Sequence, residues 1–165
     1  METTRAKKRI SDSRFTLSAL MGPQDANSLG NVHGGVIMRM ADEAGALVAM
    51  RHAGMPVVTV AVDSMTFMEP ILLGNLVQCK AELTYAGRTS MEVRVEVVAE
   101  NPLQGNAKTT NIAYLVYVAL GQDGRPAVVP EILFETDEER ARAEQAKARQ
   151  EYRKQQREFE RGLKP

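Results

Sequence analysis

The chain has 165 residues and a mass of 18.2 kDa, enough for one domain with a real core and too little for two large ones. Its 44% hydrophobic and 25% charged content is ordinary for a globular protein and argues against disorder over the whole length. Lys plus Arg and Asp plus Glu balance at 21 each, so no global basic field exists to hold nucleic acid or an anionic membrane. One Cys excludes an intrachain disulfide and a Cys-rich metal site, and two His leave little material for structural zinc. No cofactor or metal is therefore expected.

Residues 1–13 are polar and basic and read as a flexible N-terminus. They lack the apolar core of a secretory signal, and no run approaches the roughly 20 apolar residues that span a bilayer. The expectation is a cytoplasmic protein with no membrane partner. Phe15 to Met21 alternates like a short strand. Gly22-Pro23 opens a loop that runs through Asn31 and His33 to the pair Gly34-Gly35. From Val36 to about Ala53 small and apolar residues appear on nearly every side, with no Pro. Such a helix is usually buried in the middle of something. Gly54 and Pro56 stop it.

The period then switches to two. Val57 to Phe67 reads as one long strand ended by Glu69-Pro70. After a Gly74-Asn75 turn, Val77, Cys79, Ala81 and Leu83 share one face of a strand to Tyr85. Gly87 marks a turn, and Glu92, Arg94 and Glu96 then alternate with valines as a strand with one wet face. Residues 101–108 read as a loop, and Ile112 to Leu120 as a strand covered on both sides. Thr136 and Glu139 have capping-box spacing and open a long polar helix that runs to Arg161. The order predicts an α+β fold: a mostly antiparallel sheet of about five strands around a central helix, plus a long C-terminal helix. The domain spans 14–133, and 134–165 forms the charged helix and tail. One such sheet cannot cover a helix apolar all round, which predicts a homodimer.

Asp42 interrupts the most apolar helix, and a buried unpaired carboxylate is costly enough to need a partner or a use. Arg39 can serve only one of Asp42 and Glu43 well. The alternatives are local salt bridging, or a general base or nucleophile in a dry cleft. Gly34 and Gly35, with Asn31 before them, put free N–H groups at a helix N-terminus, where they can bind an oxyanion or a phosphate or simply make a turn. His33 lies in a similar position with no nucleophile elbow nearby. Cys79 reads as an inert core thiol. Arg88, Thr89 and Ser90 sit at a strand-to-strand turn, which is either a plain hairpin or a phosphate contact.

Two segments carry a family resemblance: GNVHGGVIMRMADEAGALVAMRHAG, and VVTVAVDSMTFMEPILLGNLV after it. YAGRTSMEVRVEVVAEN, TTNIAYLVYVAL and the VVPEI stretch continue it. Together they resemble the hotdog-fold acyl-CoA thioesterases, in particular the cytosolic acyl-CoA hydrolase branch, over roughly residues 14–155. The resemblance implies a sheet wrapped around the central helix, a continuous sheet across a dimer, and hydrolysis of fatty acyl-CoA to fatty acid and CoA. It assigns Asn31 and Asp42 as the catalytic pair, with Asn31 from one subunit and Asp42 from the other. Gly34 and Gly35 become the oxyanion and substrate donors, and Arg88, Thr89 and Ser90 the CoA contact. Relatives of this kind assemble as trimers of dimers. Ala41 departs from the larger apolar residue that relatives often have there. Two alternatives stay open at this point. A hotdog hydratase or dehydratase would use a His, but His33 has no evident second acid. A non-catalytic acyl-CoA-binding regulator would normally bring a helix-turn-helix segment, for which 13 leading residues are too few.

Overall fold

The computed structural model describes residues 5–162. Residues 1–4 and 163–165, the outermost parts of the two expected tail segments, lie outside the described residues. The elements in chain order are β1 (Lys7–Arg9), β2 (Phe15–Leu20), α1 (Gly34–Ala53), β3 (Val57–Val62), β4 (Leu76–Ala86), β5 (Ser90–Asn101), β6 (Asn106–Ala119), β7 (Glu131–Leu133) and α2 (Asp137–Gly162). A single 3-10 turn at Pro23–Asp25 precedes α1.

Five strands form one antiparallel sheet in the order β2-β4-β5-β6-β3, as the alternation implied. Val77, Cys79, Ala81 and Leu83 on β4 are buried, as are Met91, Val93, Val95 and Val97 on β5. Ala113, Leu115, Tyr117 and Ala119 on β6 complete this inner face. Against it α1 lays Ile37, Met40, Ala41, Ala44, Val48 and Ala49, a stripe at helical spacing. Alternation turns Glu82, Glu92 and Tyr114 to the outer face, where α2 crosses. The hotdog architecture is thus a curled sheet with α1 inside and α2 outside.

Several expectations change. Residues 7–9, expected to fray, form β1 and pair in parallel with β7. The anchor is Ile10, a lone apolar residue in a polar stretch that is fully buried. Arg5 adds bonds from Nε and Nη2 to Val129 O at 2.9 and 2.7 Å. The strand expected to reach Phe67 stops at Val62. Beyond it the side-chain amide of Asn111, rather than the β6 backbone, donates to Thr66 O. The expected loop 101–108 shrinks to a turn. Gly105 adopts φ 68°, a left-handed conformation cheap only for glycine, and β6 resumes at Asn106. One expectation holds: the sheet leaves one side of α1 open. Met38, Arg39, Glu43 and Met50 are exposed, and so are Val58 and Val60 on the edge strand β3.

The cap of α2 follows its sequence. Thr136 Oγ1 accepts from Glu139 N–H at 3.1 Å, while the Glu139 carboxylate reaches back to Glu135 N–H at 2.8 Å. Among the described residues no helix is long and apolar enough to cross a membrane.

Candidate active site

Asp42 stands two turns into α1, half-buried, between the covered and the open sides of the helix. Arg39 does not reach it. That guanidinium pairs with Glu43 at 3.8 Å, one turn along. Asp42 is held instead by neutral hydroxyls. Thr59 Oγ1, on β3, donates to Asp42 Oδ1 at 2.7 Å. Tyr117 OH, on β6, lies 3.2 Å from the same Oδ1 and 2.9 Å from the Asp42 carbonyl oxygen, to which it donates with better geometry. Oδ2 accepts no hydrogen bond among the described residues. The arrangement fixes one carboxylate oxygen and leaves the other available to take a proton or attack a carbonyl.

Two features let this happen. Tyr117 fits against α1 only because Gly45 has no side chain. A Cβ there would lie 2.3 Å from the phenol oxygen. The phenol pKa is raised, first by burial and then by the Asp42 charge, so the hydroxyl keeps its proton as a donor. Thr59 sits at a break in pairing, since the β3–β6 register shifts between Thr59 and Ala61. Bulges of this kind re-aim side chains next to functional groups.

A second group lies at the start of the helix. Asn31 is held through its backbone, whose N–H bonds Asn27 Oδ1 at 3.1 Å and whose carbonyl accepts from Asn27 N–H at 2.7 Å. Its side-chain amide makes no hydrogen bond among the described residues. It lines a cavity of about 310 Å3 with Gly34, Ile37, Phe67, Met68 and Ile71. Gly34 and Gly35 do not behave as an equivalent pair. His33 caps α1, and its Nδ1 accepts the Gly35 N–H at 2.9 Å. Gly35 is therefore not a free donor here, and the Gly34 N–H is the one without an acceptor among the described residues. The His33 ring is thereby in a capping role.

The two groups are separate within one protomer. Asp42 lies seven residues past Gly35, roughly 10 Å along the helix axis. The turn bearing Arg88, Thr89 and Ser90 falls at Asp42's end of the sheet. Ser90 pairs with Val118, one residue from the Tyr117 that touches Asp42. Gly87 N–H to Ser90 O at 2.8 Å closes the turn, and Ala119 and Val129 N–H bond the Thr89 and Arg88 carbonyls at 3.1 and 2.9 Å. Arg88 is exposed. Cys79 is buried, and burial pushes its thiol up to about 12, which makes it inert.

Comparison with known proteins gives this geometry a family. A model described as the thioesterase superfamily matches residues 29–105. The acyl-CoA thioester hydrolase YciA of Salmonella typhimurium is 38% identical over 120 residues, 70% of this chain and 90% of the relative. The chain belongs to the thioesterase superfamily.

The cytosolic acyl coenzyme A thioester hydrolase of Rattus norvegicus is 36% identical over 142 residues, 85% of this chain, but the chain spans only 37% of that relative's length. Among solved structures, an apo hexameric acyl-CoA thioesterase aligns with a TM-score of 0.87 at 37% identity, covering 92% of this chain and 97% of that one. An acyl-CoA hydrolase from Staphylococcus aureus, in complex with butyryl coenzyme A, coenzyme A and coenzyme A disulfide, aligns with a TM-score of 0.87 at 35% identity, covering 94% and 95%. In this superfamily member, sequence reasoning named Asp42 and Asn31 but missed Thr59 and Tyr117. The available signal was slight: one hydroxyl in the valine-rich β3, and one phenol on the inner face of β6 among Ala113, Leu115 and Ala119.

Proposed function

We propose that the protein hydrolyses acyl-CoA to a fatty acid and CoA. The observation that carries this reading is Asp42: a half-buried carboxylate on an apolar helix, bonded through Oδ1 to Thr59 and paired with no cation among the described residues. Thioester hydrolysis needs such a group, either to take a proton from water or to attack the acyl carbon and form an anhydride that water then opens. It also needs donors for the carbonyl oxygen as charge develops there. The Gly34 N–H at the positive end of α1 and the unbonded Asn31 amide suit that role. The S. aureus hydrolase has been solved as alanine variants at an asparagine, an aspartate and a threonine, the residue types that stand here at 31, 42 and 59. Arg88, Thr89 and Ser90, at Asp42's end of the sheet, are the CoA phosphate or pantetheine contact. The chemistry needs no cofactor.

The site is shared between subunits in this reading. Asn31 precedes α1, whereas Asp42 lies roughly 10 Å along the helix axis from Gly35. The open side of α1 and the apolar edge of β3, with Val58 and Val60 exposed, leave Asp42 and Thr59 on a surface that a second copy would cover. Pairing of two β3 edges makes one continuous sheet, and hexameric relatives support a trimer of such dimers. The cytoplasm is the compartment that suits the reading, since a relative is named cytosolic.

The test is release of CoA thiol from acyl-CoAs ranging from acetyl to palmitoyl, with no metal added. Wild type releases thiol; a protein that binds acyl-CoA without releasing it would instead be a regulator. Sharing is tested by mixing Asn31→Ala and Asp42→Ala chains, each inactive alone. Mixed dimers carry both lesions in one site and none in the other, so activity returns to about a quarter of wild type for independent sites in closed dimers. Mixed dimers that stay inactive would place the site within one chain.

A further inference from the structure

Glu92 takes no part in the chemistry above, yet it is the most heavily bonded carboxylate in the fold. It is 2% exposed, on β5, on the sheet face away from α1. A carboxylate so placed must be paired. Thr84 Oγ1 donates to its Oε1 at 2.7 Å, and Arg149 donates to Oε1 at 2.7 Å and Oε2 at 3.2 Å. Arg153 Nη2 donates to Oε2. Both arginines come from α2. Arg153 does more than neutralise Glu92. It also forks onto Asp63, with Nε to Oδ1 at 2.9 Å and Nη2 to Oδ2 at 2.7 Å. Asp63 is the residue after β3. One guanidinium therefore ties the middle of the sheet to the end of its edge strand.

The place of this tie matters. Met91, Tyr117 and Thr59 stand side by side across β5, β6 and β3. Glu92, Val116 and Ala61 form the next row. The first row meets Asp42 on the inner face, and the second meets α2 on the outer face. Between them, on β3, lies the register shift. β3 is an edge strand with a ladder on one side only. A slip of one residue would turn Thr59 to the wrong face. The second half of α2 offers little else to steady the strand, since its buried residues, Glu139, Ala143 and Ala146, all lie in the first half.

We infer that Arg153 is a positioning residue: by clamping Asp63 to Glu92 it sets the register of the bulged edge strand, so that Thr59 Oγ1 meets Asp42 Oδ1. This rests on the reading of Asp42 as base or nucleophile. In that scheme α2 acts on turnover from the opposite face of the sheet, without touching substrate.

Asp63→Ala tests it in the full-length protein, because it cuts the tie to β3 while leaving Glu92 with both arginines. The expected result is a fall in kcat of at least about tenfold with KM within about twofold, as for a small misplacement of a catalytic group. Amide hydrogen exchange at Val60 to Val62 should quicken. In a Thr59→Ala background the same substitution should add less than about twofold, since the effect passes through Thr59. Arg142→Met, which breaks the α2 contact with Glu82 farther up the helix, should leave kcat unchanged. Unchanged kcat or unchanged β3 exchange in Asp63→Ala would overturn the inference. So would full additivity with Thr59→Ala, or an equal loss from Arg142→Met. A wild-type protein that released no CoA would overturn the function beneath it; the exchange experiment would still read the clamp on β3 independently.

Discussion

Asp42 and Glu92 lie on opposite faces of one sheet, close to adjacent rows of the same strands, and their surroundings differ in kind. Both oxygens of Glu92 are occupied, by two guanidiniums and a hydroxyl. Among the described residues only Oδ1 of Asp42 is occupied, and only by neutral donors. A buried carboxylate saturated by charge-assisted bonds is fixed in place and has no lone pair left to offer. A half-buried carboxylate steadied through one oxygen is oriented yet still available through the other. On the proposed reading of Asp42, the difference teaches that burial alone does not mark the reactive acid in this fold. Which lone pairs remain free does.

The largest expected effect breaks the contrast at its reactive end. Asp42→Asn keeps the shape and the Oδ1 acceptor but removes the charge and the free basic oxygen. It should lower kcat by about 10³-fold, the scale of a lost general base, with little change in unfolding midpoint. Thiol-release kinetics and a denaturant melt on the same sample check both halves. Activity near wild type would transfer the chemistry to Glu43 or His33.

At the structural end, Glu92→Gln should strike stability first, and lower kcat no further than Asp63→Ala does, since it weakens the same Arg153 clamp. Arg149 would then face a neutral amide in a buried site, and breaking such a pair costs about 3–5 kcal/mol. Urea unfolding measures it. A loss below about 1 kcal/mol would show that the cluster is no better than a surface network.

The two ends were unequally legible in the sequence. Asp42 stood out because a charge in an apolar helix violates a local pattern, and Asn31 because it precedes a glycine pair. Thr59 and Tyr117 did not, because hydroxyls are common in strands and only the non-local β3–β6 register brings them to Asp42. Glu92 was read as part of a wet strand face with Arg94 and Glu96. That alternation is correct, but the cover on that face comes from α2, more than 50 residues later, which no local period reveals. The sheet, the buried stripe of α1 and the Thr136 cap followed from periodicity and spacing. The β1–β7 pairing did not, since three-residue strands leave no period to read.

A third buried group sharpens the point by pH. His52 is fully buried at the end of α1, with Nε2–H donating to Pro130 O at 3.0 Å and Nδ1 without a partner among the described residues. Burial, the largest cause, lowers its pKa from 6.5, with Lys8 and Arg5 adding to the effect against the Pro130 bond. The unfolded chain therefore takes up a proton near pH 6.5 that the folded chain refuses. More protons on the unfolded state mean that stability rises with pH below about 6.5 and levels off above it. The slope cannot exceed about 1.4 kcal/mol per pH unit for one group. His52→Gln keeps a donor for Pro130 and should flatten the variant's own pH dependence, so that the wild-type minus variant stability rises with pH between about pH 5 and 7. An unchanged slope would assign it to the carboxylates.

The smallest effect concerns the acid next to Asp42. Glu43 lies on the open side of α1, paired with Arg39 at 3.8 Å, with the two side chains 56% and 70% exposed. Solvent screens such a pair, and an i,i+4 contact of this kind contributes at most about 0.3–0.5 kcal/mol. Glu43→Gln should therefore shift the urea midpoint barely above error. It should also leave kcat within about twofold, because no hydroxyl orients its carboxylate among the described residues. In the proposed dimer this side of α1 approaches the second copy, so the variant also reads the interface. If Glu43 completes an ion pair across it, subunit dissociation on dilution will shift while kcat of the assembled protein stays put. A drop in kcat approaching that of Asp42→Asn would mean that two adjacent carboxylates share the chemistry, and the contrast between free and occupied oxygens would no longer single out Asp42.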